Sequence, residues 1–89
     1  MTINDMAGVI PPPKSLKGFP KAVRVRPKTR IPGGGLRARR KDADGTIYEW
    51  DYQHGAVEVY NRNGSHRGEC DPDTGESVKD AVPDRRIEP

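Results

Sequence analysis

The sequence has few of the features that define several common classes of protein. It contains one cysteine, which excludes an internal disulfide framework. No apolar run approaches the ~18 residues of a membrane-spanning helix. The first residues also lack the basic start and apolar stretch of a secretory signal. Only 31% of the 89 residues are apolar, so we expect one small soluble domain with a modest core.

Charged residues are plentiful, but the two signs are separated along the chain. Lys14–Lys41 contains eleven Lys or Arg residues and no acid, whereas residues 42–89 contain twelve acids and five basic residues. A basic stretch suits a polyanion, because neutralising phosphates releases counterions and gives affinity independent of base sequence. The basic segment therefore predicts a nucleic-acid partner, with a solvated basic tail as the alternative.

Proline and glycine divide the chain into an irregular first third and a regularly patterned remainder. Six prolines in residues 9–32 argue against a long helix or a central strand there. Thr2 or Asn4 could cap a short helical turn through Ala7. We interpret the chain as one domain in two parts, a Pro-rich basic segment at 1–32 and a catalytic β-meander at 33–89.

Turn signals recur at short intervals after the three consecutive glycines. Asp44-Gly45 and Asn63-Gly64 are typical of tight hairpins. The fold class predicted is α+β, mainly β: a small, highly twisted antiparallel meander of four to five strands with a short N-terminal helical or irregular segment. The strand candidates, the first of them an edge strand, are Ala22–Arg26, Leu36–Lys41, Thr46–Tyr52, Ala56–Asn61, Ser65–Cys70 and Glu76–Lys79.

Alternation along two of these strands separates an apolar face from a polar face. Tyr48 and Trp50 share one side of their strand, and Val57 and Val59 share one side of the next. If these four side chains form the core, the opposite face of the sheet collects three ionisable residues. They are Asp51, His54 and Glu58.

Two carboxylates and an imidazole beside a basic segment suit the cleavage of RNA. The ribose 2′-OH can attack its own 3′-phosphate, so the protein supplies a base, an acid for the leaving 5′-oxygen and positive charge for the phosphorane. Carboxyl groups of Glu ordinarily have a pKa near ~4.3 and imidazoles one near ~6.5. We therefore assign Glu58 as the base, His54 as the acid and Asp51 as the group that orients the imidazole.

One stretch of the sequence resembles a known family. The string Ile47–Gly55, with Glu58, Tyr60 and Asp71-Pro72 after it, resembles the cytotoxic C-terminal domain of the colicin and cloacin ribosomal RNases. The resemblance spans almost half of the chain and extends more loosely upstream through the basic run. It implies a twisted antiparallel sheet behind a short N-terminal helical segment, and cleavage of 16S ribosomal RNA at the decoding site, which blocks translation. Because the 2′-OH is the nucleophile, we expect this cleavage to be independent of metal.

The resemblance also implies roles for individual residues. The catalytic Asp, His and Glu of the family match Asp51, His54 and Glu58, and its C-terminal arginine matches Arg85, with Arg86 as the alternative. The chain departs from the family at Ala56, where an acidic residue is usual. No metal or other cofactor is implied. The residues expected to contact RNA are Arg37, Arg39, Arg40, Lys41, Tyr52, Tyr60 and Arg86.

The implied partners are the 30S subunit of a target ribosome, through its 16S rRNA, and a tightly bound cognate immunity protein. The resemblance implies no membrane binding by this domain. It implies release or delivery from a bacterial producer within a larger toxin, and action in the cytoplasm of the target cell.

Two other functions are weighed against a nuclease. A zinc site built from His54, His66 and Cys70 lacks the usual ligand spacings, and we expect the last two residues at the surface or rim of their strand. A non-catalytic RNA-binding module could stack bases on the aromatic residues of the sheet. Such a module would bind ribosomes without cutting them.

Overall fold

A computed structural model of the protein describes residues 9–89, and this part of the chain forms strands and turns without a helix. Each strand pairs antiparallel with the next, giving one open sheet whose order follows the sequence. Within residues 9–89 there is consequently no helix that could span a membrane. The strands are β1 (Val23–Val25), β2 (Arg39–Lys41), β3 (Ile47–Asp51), β4 (Ala56–Tyr60), β5 (His66–Cys70) and β6 (Ser77–Asp80).

The prediction of a mainly β antiparallel meander is confirmed, and the sheet has six strands where four to five were expected. The sixth strand is β1, which lies within the candidate edge strand Ala22–Arg26 of the Pro-rich segment and pairs with β2 at the edge of the sheet. The helical component of the predicted α+β class is not found in residues 9–89, and the turn predicted to end at Ala7 lies outside them. The division between residues 32 and 33 stays a prediction.

Two of the turns between strands form at glycines that follow Asp or Asn. Gly45 has a φ of 92° and Gly64 a φ of 87°, a region that side chains with a Cβ rarely adopt. The carboxylate of Asp44 accepts an amide hydrogen bond from two residues further on, at 2.9 Å. Asn61 Oδ1 accepts the amide of Ser65 at 3.0 Å. Local turn chemistry therefore sets the positions at which the meander reverses.

One face of the sheet carries the apolar core that alternation predicted. Tyr48, Trp50 and Val57 are buried there, and Leu16 and Ala22 of the Pro-rich segment pack against them. The Trp50 indole N–H donates to a backbone carbonyl of that segment at 2.7 Å. The irregular first third of the described chain thus covers the apolar face of the meander.

The opposite face is covered by the C-terminal tail, residues 82–89. The tail forms a bridge between Arg86 and Ser65, and the amide of Ile87 donates to the carbonyl of Gly64 at 2.9 Å. The Arg39 guanidinium reaches the carbonyl of Glu88 at 2.7 Å. Because the tail lies there, polar residues on this face are buried.

Gly64→Ala is expected to loosen the tail. A Cβ on Gly64 would lie 2.2 Å from the carbonyl oxygen of Ile87, whereas one on Gly33, which also has positive φ, would meet nothing within 4 Å. Gly33→Ala therefore costs only the strain of its backbone conformation, about 1 kcal/mol. Gly64→Ala adds a backbone clash and should lower the free energy of unfolding by about 3 kcal/mol. Equal losses in urea denaturation would contradict this account of the tail.

Candidate active site

A row of charged residues crosses the polar face of the sheet from β2 to β6. The strand registers place Arg39 opposite Glu49, Glu49 opposite Glu58, Glu58 opposite Glu69, and Glu69 opposite Lys79. All three glutamates are buried. Carboxylates directly opposite one another repel, so each of them requires a positively charged partner or hydrogen-bond donors nearby.

Glu49 is compensated by a buried ion pair. Arg39 approaches its carboxylate at 2.8 Å, and the two side chains are 1% and 0% exposed. The Thr29 hydroxyl donates to the same oxygen at 2.6 Å. With its partners enclosed in this way, Glu49 serves the structure of the sheet.

Asp51 and His54 form a pair at the end of β3. His54 Nδ1 lies 2.6 Å from Asp51 Oδ2, and the other oxygen accepts the backbone amides of Gln53 and His54 at 3.0 and 3.2 Å. Burial by itself would raise the pKa of Asp51, but these hydrogen bonds together lower it. The imidazole is 47% exposed. An ionised Asp51 thus holds Nδ1 and leaves Nε2 for proton exchange with a ligand.

Glu58 lies at the centre of a second network. Its Oε1 is 2.9 Å from His66 Nε2, and its Oε2 accepts from the Arg85 guanidinium at 2.9 Å. The amide of Val82 donates to His66 Nδ1 at 2.9 Å, so His66 carries its proton on Nε2 and donates it to Glu58. The Glu58 side chain is 5% exposed, whereas that of Arg85 is 37% exposed. Arg85 is therefore the more exposed of these two residues.

The ring of Tyr60 packs against the guanidinium of Arg85. The guanidinium lies 5.9 Å from the centroid of the Tyr60 ring, and the His66 ring meets the same ring edge-on at 5.2 Å. Burial is the main reason that the pKa of Tyr60 is raised, and the charge of Arg85 opposes the shift. The phenol therefore stays neutral at neutral pH and acts as a packing platform.

The structure separates the two candidate arginines. Arg85 contacts Glu58, whereas Arg86 points to the carbonyl of Asn63, at 3.0 Å, on the exposed side of the tail. Asp51, Glu58 and Arg85 lie on the covered polar face, and His54 joins them through its hydrogen bond to Asp51. The structure thus gathers the four residues that the sequence selected as catalytic.

The predicted RNA contacts are divided between exposed and buried residues. Arg39 is 3% exposed and Tyr60 is 1% exposed, and both are held by internal partners. Both side chains are thus enclosed in this structure, and their contact with RNA stays a prediction. The remaining residues are accessible at least in part: Arg37, Arg40, Lys41, Tyr52 and Arg86.

The expectation of a surface position for His66 is wrong, because a β-bulge intervenes. The register shifts between Val59 and Tyr60, so Tyr60 pairs with His66 where regular alternation would place Arg67. The His66 ring therefore turns to the face of Glu58 and is buried. Strict alternation along β5 could not have revealed this position.

Glu69 is the second residue that sequence reasoning missed. It lies opposite Glu58 in the sheet. One carboxylate oxygen of Glu69, one of Asp51 and one ring nitrogen of His54 all lie within 4.8 Å of one another. Since the Asp51–His54 hydrogen bond already occupies one pair of these atoms, we interpret the group as an acid–base cluster. Cys70 is only partly buried, and burial, then the charge of Glu69, raises the pKa of its thiol. A thiol with a raised pKa is poorly suited to act as a thiolate nucleophile.

Comparisons with known proteins agree with the resemblance seen in the sequence. The family model "Cytotoxic" matches residues 10–88. Three proteins of Escherichia coli are similar over 86% of this chain: cloacin at 45% identity, colicin E6 at 43% and colicin E3 at 39%. The chain spans only 14–15% of the length of these relatives. The protein belongs to the Cytotoxic family, whose members include the cytotoxic domains of colicins and cloacin.

Proposed function

We propose that this domain is a ribosome-inactivating endoribonuclease that cleaves 16S rRNA at the decoding site and so blocks translation. The observation that carries the proposal is the arrangement on the polar face. The His54 imidazole, held by Asp51 of β3, lies in the turn between β3 and β4. The Glu58 carboxylate, held by Arg85, lies on β4. This is the set of groups that attack by a ribose 2′-OH requires.

Glu58 is the general base in the proposed mechanism. It accepts the proton of the 2′-OH, whose oxygen then attacks the adjacent phosphorus. His66 and Arg85 hold the carboxylate from two sides, which fixes its position in the site. Arg85 is also partly exposed, so its remaining N–H groups can donate to the non-bridging oxygens of the phosphorane.

His54 is the general acid. Asp51 accepts from Nδ1, which fixes the ring and leaves Nε2 to protonate the departing 5′-oxygen. The products are a 2′,3′-cyclic phosphate and a 5′-hydroxyl end. The substrate's own hydroxyl is the nucleophile, so the mechanism needs no metal-bound water.

The basic segment supplies affinity for the ribosome in this proposal. Arg37, Arg40 and Lys41 are partly exposed and belong to the stretch without acids. In the same proposal the domain is delivered within a larger bacterial toxin, acts in the target-cell cytoplasm and is restrained in its producer by an immunity protein. A non-catalytic RNA-binding module is less well supported, because Tyr48, Trp50 and Tyr60 are buried.

The proposal is tested by incubating the domain with intact ribosomes and mapping breaks in the small-subunit RNA. We expect one discrete cut, ending in a 2′,3′-cyclic phosphate, with a rate unchanged by excess chelator. The end group distinguishes 2′-OH attack from hydrolysis by water, which leaves a linear phosphate. Uncut ribosomes would refute the nuclease, and loss of cutting in chelator would refute the metal-independent mechanism.

A further inference from the structure

Glu69 lies where a carboxyl group can act on the proposed general acid. The residue is 4% exposed and stands on β5, opposite Glu58 of β4 and Lys79 of β6. Carboxylate oxygens of Glu69 and Asp51 and a ring nitrogen of His54 form the compact group described above, all within 4.8 Å of one another. The mechanism proposed above does not use Glu69.

The charges around Glu69 make its ionisation costly. Asp51 faces it from β3 and Glu58 from β4, and both of these carboxylates are also buried. The opposite charges that face it are Lys79, on the exposed edge strand β6, and the His54 imidazole in its protonated form. Desolvation by burial, the charge of Glu58 and the hydrogen bond with Asp51 raise the pKa of Glu69 to about 7.

We propose that Glu69 is a positioning residue that sets the charge acting on the Asp51–His54 pair, an inference that rests on the proposed function. Neutral Glu69 donates its O–H to Asp51 and competes with the His54 imidazole for that carboxylate. Ionised Glu69 adds a negative charge beside the imidazolium and stabilises the protonated acid. As the pH rises through neutrality, Glu69 loses its proton and helps His54 to keep its own.

The consequence is a nuclease that remains active to higher pH. The leaving oxygen can be protonated only while the imidazole holds its proton. The alkaline limb of the pH–rate profile therefore reports deprotonation of the general acid. Because Glu69 is ionised in this pH range, the alkaline limb lies at higher pH than it would if the side chain at this position were neutral.

Glu69→Gln tests the proposal, because glutamine has the same shape and keeps an N–H donor for Asp51 but cannot ionise. In single-turnover cleavage of ribosomes, the alkaline limb of the variant should move down by about 0.5–1 pH unit. Below pH 6 its rate should remain within about threefold of the original, because Glu69 is then neutral. Glu76→Gln, an identical change at an exposed turn residue, should leave the profile in place. An alkaline limb that stays where it was in Glu69→Gln would overturn the proposal.

A titration of the original protein provides a second test that needs neither RNA nor a folded variant. Carbon-13 NMR of the Glu69 side-chain carboxyl should give a midpoint near the pKa of about 7. A midpoint at the ordinary value for a Glu carboxyl would refute the inference and leave the proposed nuclease function intact. Ribosomes left uncut at every pH would instead refute the proposed function and this role with it.

Discussion

Replacing Glu58 with glutamine should slow rRNA cleavage by about 10²- to 10⁴-fold, the range associated with loss of a general base. Glutamine preserves the shape and can still accept the His66 hydrogen bond. It cannot take the proton of the 2′-OH, and its amide loses the ion pair with Arg85. Affinity for ribosomes should stay within a few-fold, because the basic segment is unchanged.

The measurement for Glu58→Gln is single-turnover cleavage of intact ribosomes, together with sedimentation binding and a thermal melt. Glu76→Gln is the matched control, because it makes the same chemical change at an exposed position outside the site. A folded Glu58→Gln protein that cuts at the original rate would remove Glu58 from the mechanism. Equal losses of binding and cutting would assign it to recognition.

Arg85→Ala should lower the cleavage rate by about 10²- to 10³-fold, the scale for removing a donor to a developing negative charge. The change also removes the ion pair that holds Glu58 and the cation that lies on Tyr60. Arg85→Lys should recover part of the loss, since it restores the charge without the planar fork of N–H donors. The defect should be seen in kcat.

Two other arginines provide comparison variants for this experiment. Arg67→Ala alters an exposed side chain at the bulge of β5 and should leave cleavage within about twofold. Arg86→Ala removes an exposed residue that bonds to the Asn63 carbonyl, so its smaller effect should fall on KM and its salt dependence. A larger loss of kcat from Arg86→Ala than from Arg85→Ala would reverse the assignment of the two.

The polar face was predictable because the side chains of a strand alternate with a period of two. That rule placed Tyr48 and Trp50 in the core and Asp51 with Glu58 on the other face, as observed. Applied along β5, the same rule would turn His66 away from Glu58, because it takes no account of a bulge that adds a residue to this strand and reverses the parity beyond it. Bulges leave no reliable mark in a short sequence, so the partner of Glu58 could not be read from spacing.

Glu69 shows a related limit. Its neighbours in sequence are Gly68 and Cys70, but its chemical neighbours are Asp51 and Glu58, brought together by the registers of three strands. The turn signals predict where the meander reverses, but they do not define the register of the strands to a single residue. The proximity of acidic groups, which shifts the pKa of Glu69, is therefore a property of the folded sheet.

From the residues alone, the antiparallel meander, the positions of its turns, the apolar face, the family resemblance and three catalytic candidates could be predicted. These follow from local backbone preference, alternation and a distinctive string of residues. The tertiary structure alone decided that Arg85 rather than Arg86 meets Glu58, that Arg39 and Tyr60 are buried, and that Glu69 joins the site. Each of these depends on how the tail and the register bring distant residues together, and contact between distant residues has no local signature in the chain.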